Sequence, residues 1–216
     1  MKLNAGKCDY MIFSRSREDF ATRLKVNGAK LDRVSVSKLL GVWISDDLSW
    51  SRNSTEICKQ AYSRLSMLTR LKYVGVKTED LIDVYVLYIR GVTEFCSKVF
   101  HSRLTDVDSN KLERIQKTCL KVILGDMYID YSTSLEMTGK DTLQNRRLKR
   151  CLNFSLKSVK HPRNSRLFPI ADTNPAYKIR NKEMFKVNFA HTSTHKDSAV
   201  PFCQRLLNKH FLEKKV

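Results

Sequence analysis

The spacing of apolar residues along the chain changes period once, near Trp50. Before it lie short apolar or alternating runs: "YMIFS" at 10–14, "RLKVNGAKLDRVSV" at 23–36 with Asn27-Gly28 between two alternating segments, and a third run over 39–44. Alternation puts every second side chain on one face of a strand, and Asn-Gly is the dipeptide that tolerates the backbone of a tight hairpin turn. These segments predict a small antiparallel sheet, with "SREDFA" as a loop or short helical turn.

After Trp50 the period becomes about 3.6 and holds for roughly a hundred residues, which predicts successive amphipathic helices. The first carries Ile57, Ala61, Leu65 and Leu68 on one stripe, is entered through Ser49 or Ser51 as a cap, and breaks near Gly75. The second starts at Thr78, with Glu79 and Asp80 in its first turn and Leu81, Tyr85, Tyr88, Val92, Phe95 and Val99 inward; it continues through Gly91 or kinks there. The third covers 109–124 and stops at Gly125, burying Leu112, Ile115, Cys119 and Val122, while Lys111, Arg114, Lys117 and Lys121 fall on the opposite side. The fourth, about 143–160, turns Leu148, Cys151, Leu152, Leu156 and Val159 inward, with Arg146, Arg147, Lys149, Arg150, Lys157 and Lys160 outward or flanking. Beyond His161, Pro162, Pro169, Pro175 and Pro201 interrupt helical continuation, leaving an extended segment with one short helix at 202–211. The expected class is α+β: a small antiparallel sheet (1–50), a mainly helical bundle (51–160) and a proline-interrupted extension (161–216).

Charge sharpens this picture. The 216 residues hold 40 Lys and Arg against 22 Asp and Glu, a net charge of +18. A surplus of that size attracts polyanions, so nucleic acid is the first expected partner and an anionic membrane surface the second. Solvated helix faces normally mix both signs, yet 145–150 carries four cations and no acid, which favours nucleic-acid contact over a bland surface. No apolar stretch is long enough to span a bilayer and "MKLNAGKCDY" lacks a secretory apolar block, so an intracellular protein, nuclear or cytoplasmic, is expected. Six scattered cysteines without a C-x-x-C pair read as reduced core residues.

One stretch invites a catalytic reading. "KLLGVWISDDLSW" at 38–50 sets Asp46 and Asp47 side by side after an apolar run. Two-metal phosphoryl transfer requires carboxylates from separate segments converging on two cations, and an adjacent pair cannot supply that geometry. The simpler expectation is an acidic turn that places negative charge at a helix N-terminus. His191, His195, Cys203 and His210 fit no zinc-finger spacing, so no metal is expected there. Tyr85 and Tyr88, at helical spacing in an apolar stripe, are expected in the core and not in base stacking. Glycine-rich phosphate loops are absent.

"LNAGKCDYMIF" (3–13) followed by "KLLGVWISDDLSW" resembles the segment just downstream of the catalytic site in reverse transcriptases of non-long-terminal-repeat retrotransposons of the jockey and chicken-repeat type. "YVLYIRGVTEFCSKVFHSRL", "NKLERIQKTCLKVILG", "LQNRRLKR", "HPRNSRLFP" and "FKVNFAHTSTHKDSAVPFCQRLLN" extend the resemblance over essentially the whole chain. The family's metal-binding aspartates lie in two upstream motifs, one a Tyr-Ala-Asp-Asp hairpin, and neither is present. The resemblance therefore implies the carboxyl-terminal portion of an RNA-directed DNA polymerase: the end of the palm, then a thumb-like bundle. It further implies no nucleotide incorporation by this chain alone and no cofactor of its own, Mg²⁺ belonging to the intact polymerase. Asn4 and Lys7 match the family's N-x-x-K, whose lysine approaches the triphosphate; Cys8 stands where threonine is usual. Lys38, Leu40 and Gly41 match the primer grip. The cations at Lys111, Arg114, Lys117, Lys121, Arg146, Arg147, Lys149 and Arg150 fall where the thumb tracks a template–primer duplex through its phosphates. The alternative to this reading is a functionless relic, or a basic helical interaction module repurposed by its host.

Overall fold

A computed structural model describes residues 4–14, 24–171, 184–187 and 189–213. The chain is α+β: among the described residues the strands precede Trp50, with an isolated antiparallel bridge between Ile170 and Phe185 beyond it, and the α-helices follow Trp50. The expected hairpin at Asn27-Gly28 forms: β2 (Lys25–Val26) pairs antiparallel with β3 (Ala29–Lys30), and both turn residues have positive φ, 52° and 81°. A second hairpin joins β5 (Val36–Leu39) to β6 (Val42–Ser45) through Leu40-Gly41. The first strand departs from the expectation of one antiparallel sheet. β1 (Asp9–Tyr10) pairs in parallel with β4 (Asp32–Arg33), and the described ladders are three separate two-stranded pairs. The chain between β1 and β4 includes the β2–β3 hairpin and is long enough for a parallel return. "SREDFA" lies outside the described residues. Phe13, Leu24, Leu39 and Leu40 stay exposed beside these open-edged ladders.

The bundle is built on α1 (Ser51–Tyr73), which lies along α5 (Asp106–Leu124). Ile57, Ala61 and Leu68 of α1 meet Leu112, Ile115, Cys119 and Ile123 of α5 in the main core, joined by Leu81, Tyr85, Ile89 and Phe100. Each fully buried Leu, Ile or Phe contributes roughly 1.5–3 kcal/mol, so this cluster dominates the stability of the bundle. Both helix ends answer to sequence signals. Gly75 and Gly125 take positive φ just past α1 and α5, and Lys72 Nζ donates to the Ile123 carbonyl at 2.9 Å, satisfying an end-turn acceptor. The start of α1 is different: neither Ser49 nor Ser51 caps it, and Ser51 Oγ instead donates to Asp108 of α5 at 2.8 Å. Thr105 caps α5, accepting from the Asp108 N–H at 3.1 Å.

The second helix departs from the expected stripe. It runs as α2 (Thr78–Val84), a π-helical segment over Tyr85–Arg90, and α3 (Gly91–Glu94), then breaks at Cys96 (φ 50°) before α4 (Ser97–Phe100). A π turn bonds i to i+5 and takes up more residues than an α turn, so the inward face slips. Buried positions recur every four residues, Leu81, Tyr85, Ile89, Thr93 and Ser97, with Glu94 carried in beside them; Tyr88, Phe95 and Val99 are exposed.

α6 (Tyr131–Thr138) is capped by Asp130 and leads through Gly139 to α7 (Leu143–Lys160), capped by Thr142. Cys151, Ser155 and Ser158 of α7 are buried, whereas Leu148 sits at the surface. The described part of the extension is more ordered than its prolines suggest. After α8 (Ser193–Lys196), α9 (Ala199–Glu213) packs on α7, and Phe168, Phe185, Cys203 and Leu207 form a second core with Leu152, Leu156 and Val159. Pro201 is tolerated because it falls in the first turn of α9, where its missing N–H has no helical partner to lose. All six cysteines are free thiols. Among the described residues no helix is long and apolar enough to cross a membrane.

Candidate nucleic-acid interface

The β5–β6 hairpin is the sharpest feature of the surface. Leu40 and Gly41 both have positive φ, 48° and 88°, as a two-residue type I′ connection requires, and Leu40 stands 88% exposed at the tip. Lys38 is paired in register with Trp43, and its ammonium lies 5.7 Å from the indole centroid. Arg52 of α1 lies 5.2 Å from the same ring. The hairpin is tied to the bundle at two points. The Trp43 N–H donates to Asn53 Oδ1 at 3.1 Å, and a Cβ at Gly41 would come within 3.1 Å of the Phe95 ring.

Between hairpin and bundle opens a cleft of about 400 Å³ lined by Lys38, Gly41 and Trp43 from the hairpin, Asn53, Glu56, Gln60 and Arg64 from α1, and Leu87, Val92 and Phe95. Arg64 donates to the Tyr88 carbonyl at 2.6 Å and stacks on the Tyr88 ring at 4.5 Å. Asn53 is buried, with its Nδ2 lacking an acceptor among the described residues. Lys38 and Gly41 thus share one cleft with an aromatic ring, two amides and a second cation, with Leu40 at its rim. Trp43, Asn53 and Arg64 escaped the sequence reading because their approach depends on how the hairpin docks.

Asn4 and Lys7 span a single 3₁₀ turn, Ala5–Lys7, in which the Gly6 N–H donates to Asn4 Oδ1 at 3.0 Å. Lys7 is exposed and does not line the cleft. Asp46 and Asp47 form a turn: the Asp46 N–H donates to the Ser35 carbonyl, and Asp47 Oδ1 accepts from the Ser49 N–H at 2.8 Å, just ahead of α1. Among the described residues no group of three or more His, Cys, Asp or Glu side chains gathers as a metal site would.

The cationic faces separate into different roles. On α5, Lys111 bonds to Asp108 at 3.0 Å, while Arg114, Lys117 and Lys121 are exposed. Lys117 lies 4.9 Å from the Tyr131 ring and Lys121 lies 5.3 Å from that of Tyr128, which orders both side chains while leaving their ammonium groups in solvent. On α7 the acid-free run acquires acids from elsewhere in the fold. Arg146 bonds to Glu94 through Nε and Nη2, Arg150 bonds to the same carboxylate at 2.6 Å, and Lys149 bonds to Asp141 at 2.5 Å. Burial by itself pushes the Glu94 carboxyl up, but the hydrogen bond from Arg146 and the charges of Arg146, Arg90 and Arg150 outweigh it and hold it below the usual range.

Arg147 corrects the expectation of a surface cation. It is fully buried, donates from Nη2 to Ser109 Oγ at 2.9 Å, and leaves Nε and Nη1 without an acceptor among the described residues. Position 147 lies one turn before Cys151, on the side of α7 that buries Cys151, Ser155 and Ser158, so it points inward, where it meets Ser109 of α5. Tyr85 is in the core as expected, its hydroxyl donating to Gln116 at 2.5 Å and its pKa pushed up by burial. Tyr88 is not, because the π-helical segment rotates it outward.

Comparison with known proteins adds no neighbour: no family description matches the chain, and neither a curated protein nor a solved structure does so.

Proposed function

We propose that this chain acts as the carboxyl-terminal, non-catalytic portion of an RNA-directed DNA polymerase of a mobile element, holding template–primer nucleic acid through its phosphates. The motif resemblance supplies the family. The observation that carries the reading is the docked β5–β6 hairpin, whose exposed I′ tip overhangs a cleft edged by Lys38 and Arg64. A hairpin tip supported from below by Phe95 can press on a strand end without folding back, and flanking cations favour a phosphodiester at that point. The exposed Arg114, Lys117 and Lys121 add a second row of phosphate contacts on α5.

The test is filter binding of a primed RNA–DNA hybrid across a salt series. Each neutralised phosphate contributes about −0.9 to the slope of log affinity against log salt, so four or five contacts predict a fall of roughly 10²–10³-fold between 50 and 200 mM salt. Sequence of the duplex should have little effect, because phosphate contacts do not read bases. A flat response rejects the proposal and favours a relic without nucleic-acid function.

A further inference from the structure

Arg90 at the end of the π-helical segment, the α6–α7 turn at 139–141 and α7 from Arg146 to Asn153 line a second cleft, of about 440 Å³. Five cations line it: Arg90, Lys140, Arg146, Lys149 and Arg150. Two carboxylates answer them, Asp141 in the wall and Glu94 behind it, so a surplus of three positive charges faces the space. We propose that this cleft is a binding site for two adjacent phosphate groups, with Glu94 as the residue that positions its arginines. The inference deepens the proposed function and rests on that reading for the source of the phosphates, a nucleic-acid backbone.

Three features separate the site from a generic basic surface. Glu94 is buried, with its side chain 4% exposed, and it contacts Arg90, Arg146 and Arg150 together. Its hydrogen bonds occupy Nε and Nη2 of Arg146 and Nη1 of Arg150. Among the described residues Arg146 Nη1 and Arg150 Nε and Nη2 are left to donate to a ligand from side chains already fixed in place, which reduces the ordering entropy that free arginines lose on binding. The opposite wall is also held. Gly139 takes φ 61° at the end of α6, and the Lys140 N–H closes back on the Leu135 carbonyl at 2.9 Å, setting Lys140 on the rim. Finally, Asp141, the carboxylate in the wall, is already engaged: its oxygens accept from the Thr142 N–H, from Asn145 Nδ2 and from Lys149. A surplus of three charges and planar guanidinium donors suit the tetrahedral oxygens of a phosphate pair better than a single carboxylate.

The experiment uses the full chain and two probes: inorganic pyrophosphate by titration calorimetry, and a labelled RNA–DNA hybrid by anisotropy across salt. The variant K140A/K149A removes two rim ammonium groups without touching Glu94. It is expected to weaken pyrophosphate at least tenfold and to make the salt slope for the hybrid shallower by about one to two. Glu94→Gln gives the sharper result. Net charge becomes more positive, so long-range attraction alone predicts tighter binding, whereas loss of arginine positioning predicts pyrophosphate binding at least fivefold weaker in a variant whose circular dichroism and melting show it folded. Tighter or unchanged binding by folded Glu94→Gln overturns the positioning role. If Glu94→Gln does not fold, the K140A/K149A result decides the site alone. A wild-type chain that binds the hybrid and ignores millimolar pyrophosphate overturns the site and leaves the proposed function standing. Pyrophosphate binding that K140A/K149A abolishes while the hybrid slope stays unchanged keeps the site and locates duplex contact elsewhere.

Discussion

Replacing Arg147 with methionine should stabilise the protein. The guanidinium is fully buried, and no carboxylate among the described residues lies within ion-pair distance of it. Burial lowers its proton affinity, and the nearby charges of Glu113 and Glu94 offset that only in part. Its hydrogen bond to Ser109 is of the charge-assisted kind worth about 1.5–3 kcal/mol. Against it stand two buried donor nitrogens, Nε and Nη1, without acceptors among the described residues, at roughly 1–3 kcal/mol each, and a charge whose removal from water costs several kcal/mol. Glu113 loses the nearby Arg147 charge in the variant, but its Oε1 still accepts from the Tyr131 hydroxyl and from the Leu143 N–H, which limits that loss. Arg147→Met keeps the apolar stem and most of the volume, so it should raise unfolding free energy by about 1–4 kcal/mol. Urea unfolding followed by circular dichroism at pH 7 reads this directly, and the melting temperature should rise by about 2–4 °C per kcal/mol for a chain of this size. A loss of more than about 1 kcal/mol with an unchanged denaturant slope would show instead that Nε and Nη1 are bonded in solution and that the buried guanidinium stabilises the fold.

Two further predictions test the histidine beside Arg147 and the hairpin. His101 is held down to about 4, first by burial and then by the Arg147 charge, so the folded state refuses a proton that the unfolded chain takes at 6.5. Its stabilising contribution is complete above pH 6.5 and lost as pH falls towards 4; wild type should therefore lose up to about 2 kcal/mol more than His101→Gln between pH 7 and pH 5, and equal losses in urea titrations would reject this. Gly41→Ala and Gly28→Ala both force a Cβ into positive φ, at 88° and 81°, and each should cost about 1–2 kcal/mol. Only at position 41 does the Cβ meet a neighbour, the Phe95 ring, so Gly41→Ala alone should also weaken hybrid binding; equal binding by the two variants would argue that the hairpin does not touch the duplex.

Much of the architecture follows from local physics that the sequence carries openly. Asn27-Gly28 places residues able to take positive φ where two alternating runs meet, and that hairpin forms, whereas the run expected over 39–44 turns within itself at Leu40-Gly41. The stripes of α1 and α5 bury as their period requires, Gly125 stops α5, and Asp46-Asp47 folds as a turn before a helix. Each of these depends on neighbours within a few residues, which is why a pattern of letters suffices.

What tertiary structure alone decided is where charge ends up. The π-helical turn at Tyr85–Arg90 slips the inward face, exposes Tyr88 and Phe95, and carries Glu94 against α7, where it gathers Arg90, Arg146 and Arg150. A hydrophobic period of 3.6 has no means of announcing that slip, since it is fixed by hydrogen bonds from i to i+5 and by the helix it packs against. The run over 145–150 therefore looks uniformly basic as sequence, yet in three dimensions it divides into a buried Arg147, an arginine pair held by Glu94 and a lysine held by Asp141. Composition determined that this protein is a polycation; packing determined which of its cations are free to meet a polyanion.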